Sequence, residues 1–205
     1  MSFYVTYVKR LLDLILSIIA LPFFLVILLF VSIAIKIDDG GPIFYLAKRV
    51  GKDGKLFTMY KFRSMKLNAP DIRTEDGSTF NASDDPRVTR VGRVLRESSL
   101  DETAQIINLF IGNMSIVGPR PNDLRELDYL EGEDFRKQDL LPGITGYSQA
   151  YYRNSITFKE RIKNDIYYVD HVSFCLDVKI FFKTIQTVLL HRGIYISEDS
   201  KKGTK

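Results

Sequence analysis

The chain carries a single cysteine, Cys175, two histidines, His171 and His191, and no tryptophan in 205 residues. One cysteine excludes an internal disulfide and fits a reducing compartment. So few thiols and imidazoles exclude the usual zinc site and direct any metal requirement to oxygen ligands, which favours Mg²⁺ or Mn²⁺. Charge of one sign is also scarce in net terms. Lys and Arg number 29 against 25 Asp and Glu, leaving a formal charge of +4, which is compatible with anionic partners and identifies none. At 45% apolar residues the length supports one real core with appendages. No internal repeat is visible.

What is abundant is one long apolar run. "LILSIIALPFFLVILLFVSIAI", Leu14 to Ile35, is interrupted only by Ser17, Pro22 and Ser32. At 1.5 Å per residue it reaches roughly 33 Å, enough to cross a bilayer. It exceeds the core of a signal peptide, and no small-x-small cleavage site follows, so the segment is expected to stay. Lys9 and Arg10 precede it, while Lys36, Lys48, Arg49, Lys52 and Lys55 follow. The positive-inside rule then pulls both ends toward the cytoplasm. Pro22 near the middle removes a backbone hydrogen bond and crowds the preceding turn, which predicts a kink. Two arms of about 10–14 residues would each reach one leaflet deep. A re-entrant helix satisfies both facts, and a plain single span with a tolerated proline stays open on charge alone.

Downstream, "DDGGPIF" (Asp38 to Phe44) is a turn-rich exit, and two apolar runs flank "GKDGK" (Gly51 to Lys55), a hairpin signal with Asp53-Gly54 at the turn. Period two places Phe57, Met59, Lys61 and Arg63 on one face, so the two cations are expected to project together. Lys66 to Asp85 reads as a long polar loop. "PRVTRVGRVLRESS", from Pro86, spaces Arg87, Arg90, Arg93 and Arg96 by three on an expected helix. That row is either a solvated stripe or a contact for phosphate groups. "GPRP" (Gly118 to Pro121) and "LPGITG" (Leu141 to Gly146) read as rigid loops. Thr157 and Glu160 form a capping box opening a helix that carries Asp165, Tyr168 and Asp170. A last helix from about Leu176 to Leu190 sets Val178, Phe181, Phe182, Ile185, Val188 and Leu189 largely on one side, for the core or for the head-group layer. The tail from Ser197 to Lys205 is polar and expected to be disordered.

Between the arginine row and "GPRP" lies "SSLDETAQIINLF", Ser98 to Phe110, with adjacent carboxylates Asp101 and Glu102. Ser99-x-x-Glu102 matches a capping box, and Asp101 in the first turn suits the helix dipole. Leu100, Ala104, Ile107 and Ile111 form the expected apolar stripe. A purely structural role is therefore sufficient locally. A carboxylate beside arginines and a membrane is also well placed for Mg²⁺ and phosphoryl chemistry.

The order of these elements resembles the bacterial sugar transferases of the small monotopic phosphoglycosyl transferase family. The matching stretches are "KRLLD" with Pro22, "GPIFY", "RVGKDGKLFTMYKFRSM", "DPRVTRVGRVLRESSLDE", "GNMSIVGPRP", "PGITGYSQ", "RNSITFKERI" and "DIYYV", collinear from Lys9 to Gly193. The resemblance implies an α+β, predominantly helical, monotopic membrane protein. It would have a re-entrant helix broken at Pro22 (1–37), a cytoplasmic-face catalytic domain (38–196) with a small β-hairpin and interfacial amphipathic helices, and a tail (197–205). It implies transfer of a phosphosugar from a UDP-sugar to polyprenyl (undecaprenyl) phosphate, releasing UMP, at the cytoplasmic face of the plasma or inner membrane with both termini cytoplasmic. By the match Asp101 is the nucleophile and the Mg²⁺ ligand, Glu102 its partner as base or as holder, and Lys61, Arg96, Arg120 and Asp165 line the site. Partners would be the donor, the acceptor, membrane lipids and downstream glycosyltransferases, with no nucleic acid. The chain departs from the family at Thr103-Ala104, where Leu-Pro is common, and at Tyr151-Tyr152, which replace a small polar loop and bear on sugar or nucleotide specificity. The rival reading is an idle membrane anchor or scaffold whose arginines bind anionic lipid or a partner enzyme.

Overall fold

A π-helical turn, Tyr4–Val8, leads into one long helix, α1, Lys9–Asp38. The computed structural model describes residues 2–72, 82, 84–153 and 155–190. Pro22 lies inside α1, and the helical assignment continues across it, as it does across a proline kink, where one hydrogen bond is lost and the helix bends without ending. One missing hydrogen bond is tolerated where the turns on either side are intact. Ser17 and Ser32 return their hydroxyls to Leu14 O (2.7 Å) and Leu28 O (2.5 Å), which satisfies them within the apolar segment.

The buried positions of α1 are Lys9, Asp13, Ser17, Phe24, Val31 and Ile35, a stripe recurring every four or seven residues. Much of the remaining surface between its charged ends is apolar and exposed, as at Phe23, Phe30 and Ile37, a pattern suited to lipid and costly in water. The stretch Tyr4–Asp38 is long and apolar enough to cross a membrane. Both ends of α1 are tied to the same body. At the start, Lys9 Nζ meets Asp177 Oδ2 at 2.5 Å, Arg10 donates to Leu109 O at 2.9 Å, and Asp13 accepts from Ile116 N at 2.9 Å. At the end, Asp38 accepts from Val91 N at 3.1 Å, and Ile35 shares a core with Phe62, Leu95, Ala104 and Ile106.

The hairpin forms as expected. β1, Phe44–Val50, pairs antiparallel with β2, Leu56–Phe62, through a turn in which Asp53 (φ 54°) and Gly54 (φ 71°) adopt the left-handed conformation. Lys61 and Arg63 do not project together. β2 ends at Phe62, and buried Arg63 pairs with Asp39. Arg87 likewise is not on a helix with the other arginines. It is buried before α2, Arg90–Glu97, with Nε and Nη2 on the Asp85 carboxylate and Nη1 on Pro70 O. The cap of α2 is instead Thr89, whose hydroxyl accepts from Gly92 N at 2.9 Å. Arg90 and Arg93 are exposed, and only Arg96 turns inward.

A 3₁₀ segment, Leu100–Gln105, runs into the short helix α3, Ile106–Ile111. Of the expected apolar stripe Ala104 is in the core and Leu100 and Ile107 pack against it, but because the 3₁₀ segment winds differently the inward face then shifts away from Ile111. Ala104, Ile106 and Leu109 are buried while Ile111 is exposed. Of the two loops read as rigid, Gly118 to Pro121 is flanked by short strands and Leu141 to Gly146 contains one. β3, Ser115–Val117, pairs parallel with β5, Gly143–Thr145, and β4, Asn122–Asp123, extends the hairpin sheet to the order β2-β1-β4. Strands of two or three residues leave no period-two signal to read. Three helices follow: α4, Tyr147–Tyr151; α5, Phe158–His171; and α6, Phe174–Leu189. The Thr157–Glu160 capping box on α5 is present. On α6 the buried positions are Asp177, Ile180 and Thr187, so the apolar face with Phe181, Phe182, Ile185 and Leu189 points outward. The expected polar tail, and the central part of the Lys66–Asp85 loop, lie outside the described residues.

Candidate active site

Asn108 determines where the carboxylates sit. Its side chain is fully buried and mimics a neighbouring strand, accepting from Tyr60 N at 2.9 Å and donating to Thr58 O at 2.6 Å. Its carbonyl also accepts from Gly112 N and Asn113 N, closing the end of α3. α3 is thereby clamped to β2, and the 3₁₀ segment before it lies over Lys61.

The capping box expected at Ser99 does not form. Ser99 is left-handed, at φ 58°, and makes no side-chain cap. Its hydroxyl accepts instead from Arg153 Nη2 at 2.8 Å. Glu102, released from that box, receives Lys61 Nζ on Oε1 at 2.7 Å. Asp101 and Glu102 do occupy the first turn, as expected. Among the described residues no side-chain hydrogen bond or ion pair engages the Asp101 carboxylate, on which only its own backbone amide acts as donor.

The two neighbours are driven apart electrostatically. Burial raises the Asp101 carboxyl to about 6, and the Glu102 charge adds to the rise against the opposing pull of Lys61 and Arg96. Glu102 meets the same burial penalty, but Lys61, Arg120 and Arg153 outweigh it and hold the group below the ordinary carboxylate range. Near neutral pH one carboxylate is a committed anion and the other is basic enough to react, a division of roles that active sites exploit.

An open cleft is lined by Glu102 with Lys61 and Arg120, together with Arg49, Met59, Gln105, Asp123, Glu126, Ile144 and Gln149. Arg96 is oriented by a bond from Nε to Ser64 Oγ at 3.0 Å. Gly92 permits this approach, because a Cβ there would meet Ser64 O at 1.9 Å. Asp165 is not a lining residue. It is fully buried behind Arg120, where it accepts from the Arg120 amide (3.3 Å) and Ser148 Oγ (3.2 Å) and pairs with Lys137 Nζ at 2.8 Å. Its contacts make it a positioning group for the arginine loop. Tyr151 and Tyr152 do not line the cleft either. They pack with Tyr147, whose ring centroid is 4.8 Å from that of Tyr151.

The structure therefore brings together Asp101, Glu102, Lys61, Arg96 and Arg120. Arg153, which faces both carboxylates, was missed by the reading of single residues, although "RNS" lies within a matching stretch. Among the described residues no group of three His, Cys, Asp or Glu side chains could hold a metal ion. A magnesium ion completed by substrate phosphates and water needs only one or two carboxylates, and the Asp101 carboxylate, without a side-chain partner among the described residues, fits that demand.

A family model described as bacterial sugar transferase matches residues 4–191. EpsL of Bacillus subtilis, named as an uncharacterized sugar transferase, is 39% identical over 186 residues, covering 91% of this chain and 89% of that protein. The UDP-N-acetylgalactosamine-undecaprenyl-phosphate N-acetylgalactosaminephosphotransferase of Aeromonas hydrophila is 37% identical over 193 residues, 91% of this chain and 45% of that protein. The undecaprenyl-phosphate galactose phosphotransferase of Salmonella typhimurium is 40% identical over 169 residues, 77% of this chain and 35% of that protein. The chain thus spans most of EpsL and less than half of the two longer relatives.

Proposed function

The chain belongs to the bacterial sugar transferase family, and from that premise we propose that it moves a phosphosugar from a UDP-sugar to polyprenyl phosphate through a covalent intermediate on Asp101. The observation that carries this reading is the asymmetry of the pair: Asp101 has no side-chain partner among the described residues and its carboxyl is raised to about 6, beside a Glu102 that Lys61 keeps ionised. An Asp101 oxygen attacks the β-phosphorus, the bond to UMP breaks, and UMP leaves with the electron pair. The polyprenyl phosphate oxygen then attacks the same phosphorus, and the Asp101 carboxylate is regenerated as the bond to it breaks.

Arg120, Arg96 and Lys61 supply fixed positive charge to the phosphate oxygens. Mg²⁺, held by Asp101 and the donor phosphates, would neutralise the diphosphate when bound. Glu102 acts as a positioning group. A carboxylate held below its ordinary range by Lys61 is a poor base, and the acceptor phosphate, with a second pKa near 6, is already largely ionised at pH 7.

Membrane placement follows the same reading. The tethering of both ends of α1 to one body, its exposed apolar surface and its basic flanks support a helix that enters and leaves on the cytoplasmic face, with the outward face of α6 in the head-group layer.

Asp101→Asn keeps the size of the side chain and abolishes UMP release from a UDP-sugar. Release at the wild-type rate would sink the nucleophile assignment. Donor alone should add the mass of a phosphosugar to the Asp101 peptide after acid quench, and its absence would favour direct transfer. In a Cys175→Ser background, cysteines at Ser2 and Gly40 should both react only from the cytoplasmic side. Labelling from opposite sides would restore a plain span. A wild-type protein that turns over no UDP-sugar would leave the anchor reading in place.

A further inference from the structure

A residue that lines the cleft carries an unsatisfied polar atom. Among the described residues Gln149 Oε1 finds no hydrogen-bond partner, and Gln149 lines the same cleft as Lys61, Glu102 and Arg120. Of the charged residues lining the cleft, Arg49 pairs with Asp123, Lys61 with Glu102, and Glu126 with Asn122 and Arg161. A buried carbonyl with no donor is costly, and a site tolerates that cost when a ligand supplies the missing donor.

Gln149 is also held in place. It sits on α4, whose neighbouring residues are anchored on both sides. Ser148 Oγ donates to Arg161 O and Asp165 Oδ1, each at 3.2 Å, and Ala150 O accepts from Thr187 Oγ1 at 2.8 Å. Gly146 leaves the amide its room, since a Cβ at that position would lie 2.7 Å from Gln149 Oε1 and 2.2 Å from Gly118 O. The two aromatic positions that set this chain apart, Tyr151 and Tyr152, leave the cleft to Gln149.

The cleft has a long axis. Arg49 lies opposite Phe57 in the hairpin register, four residues along β2 from Lys61, so the two sites are roughly 13 Å apart at 3.3 Å per residue. That is enough for a ring beyond a phosphate bound at Lys61 and Arg120.

Resting on the function proposed above, we propose that Gln149 is a donor-recognition residue whose carbonyl accepts a hydrogen bond from a neutral N–H or O–H of the nucleotide sugar. The shared chemistry has two sources, a sugar hydroxyl or the imide N–H of the pyrimidine, and they separate experimentally.

The test uses the full chain in nanodiscs, comparing wild type with Gln149→Leu, which removes the acceptor at similar volume, and Gln149→Asn, which withdraws it by one methylene. UDP-N-acetylgalactosamine and UDP-galactose serve as donors and UMP as a product ligand. Gln149→Leu should raise the donor KM about tenfold, with a smaller change in kcat, and should leave the melting temperature without ligand equal to wild type or higher. A rise in KM with unchanged UMP affinity assigns the bond to the sugar, and weakening of both assigns it to the nucleoside. Unchanged KM and unchanged UMP affinity overturn the proposal. So does a lower melting temperature in Gln149→Leu with ligand affinities intact, which is the mark of a structural residue. UMP binding is read directly by thermal shift, so a wild type that releases no UMP from either donor counts against the proposed function, while the UMP comparison still decides the role of Gln149.

Discussion

Arg153 donates to the Ser99 hydroxyl at 2.8 Å, and both residues are held left-handed, at φ 49° and 58°. Two non-glycine residues in that region each carry strain of about 1 kcal/mol or more, which persists only where surrounding contacts hold it. Here the strained pair turns Asp101 and Glu102 toward Lys61 and brings the Arg153 guanidinium to the same carboxylates.

Breaking that pair should therefore affect catalysis more than stability. Ser99→Ala and Arg153→Ala are expected to couple by about 1–2 kcal/mol in a double-mutant cycle on thermal unfolding. Arg153→Ala should lower UMP release at least tenfold. Additive stability effects with full activity would refute the relationship.

Asp101 should make the ligand-free protein less stable as pH rises. Its folded-state carboxyl titrates near 6 against 3.8 for the ordinary group, so the folded state holds the proton more tightly between those values. The stabilising contribution is complete below 3.8 and lost as pH rises through 6. In buffer with a metal chelator, Asp101→Asn and wild type should melt alike near pH 4, and the variant should be about 1–3 kcal/mol more stable at pH 8. A variant less stable than wild type at pH 8 would contradict the assignment.

Lys61 neutralises two carboxylates at once, so its loss should cost more than the loss of Glu102. Lys61→Met is expected to destabilise by about 2–4 kcal/mol at pH 8 and by less at pH 4, where the carboxylates accept protons. Adding Glu102→Gln should recover part of that loss. Independent effects would show that the ion pair at 2.7 Å does not govern the site.

Gly92→Ala tests the seat of Arg96. The added carbon would sit 1.9 Å from Ser64 O, so α2 must move, at a cost of roughly 2 kcal/mol or more. Donor KM should rise as well. A silent substitution would show that α2 can shift without disturbing the phosphate site.

The absence of tryptophan makes the outward face of α6 easy to probe. Phe182 is 64% exposed, and Phe182→Trp should change stability by less than about 0.5 kcal/mol. Its fluorescence should be quenched by lipids brominated on the acyl chain. Quenching by aqueous acrylamide alone would place α6 in water.

Features that act over a few residues are legible in the amino-acid order: the apolar run of α1, the Asp53-Gly54 hairpin turn, the Thr157–Glu160 cap and the extent of α6. Periodicity and turn chemistry are local, so they can be read locally. That order also carried Asp101 and Glu102, through collinear motifs. Only the tertiary structure decided what those residues meet. Ser99 trades its expected cap for Arg153, Arg87 leaves the arginine row for Asp85, Asp165 withdraws behind Arg120, and the apolar face of α6 turns out rather than in. Ser99 and Asp165 take partners far away in the chain, Arg153 and the Arg120 amide, while Arg87 takes Asp85 two residues back. An unpaired buried charge costs more than a local cap returns, so each charged group settles where a partner is within reach.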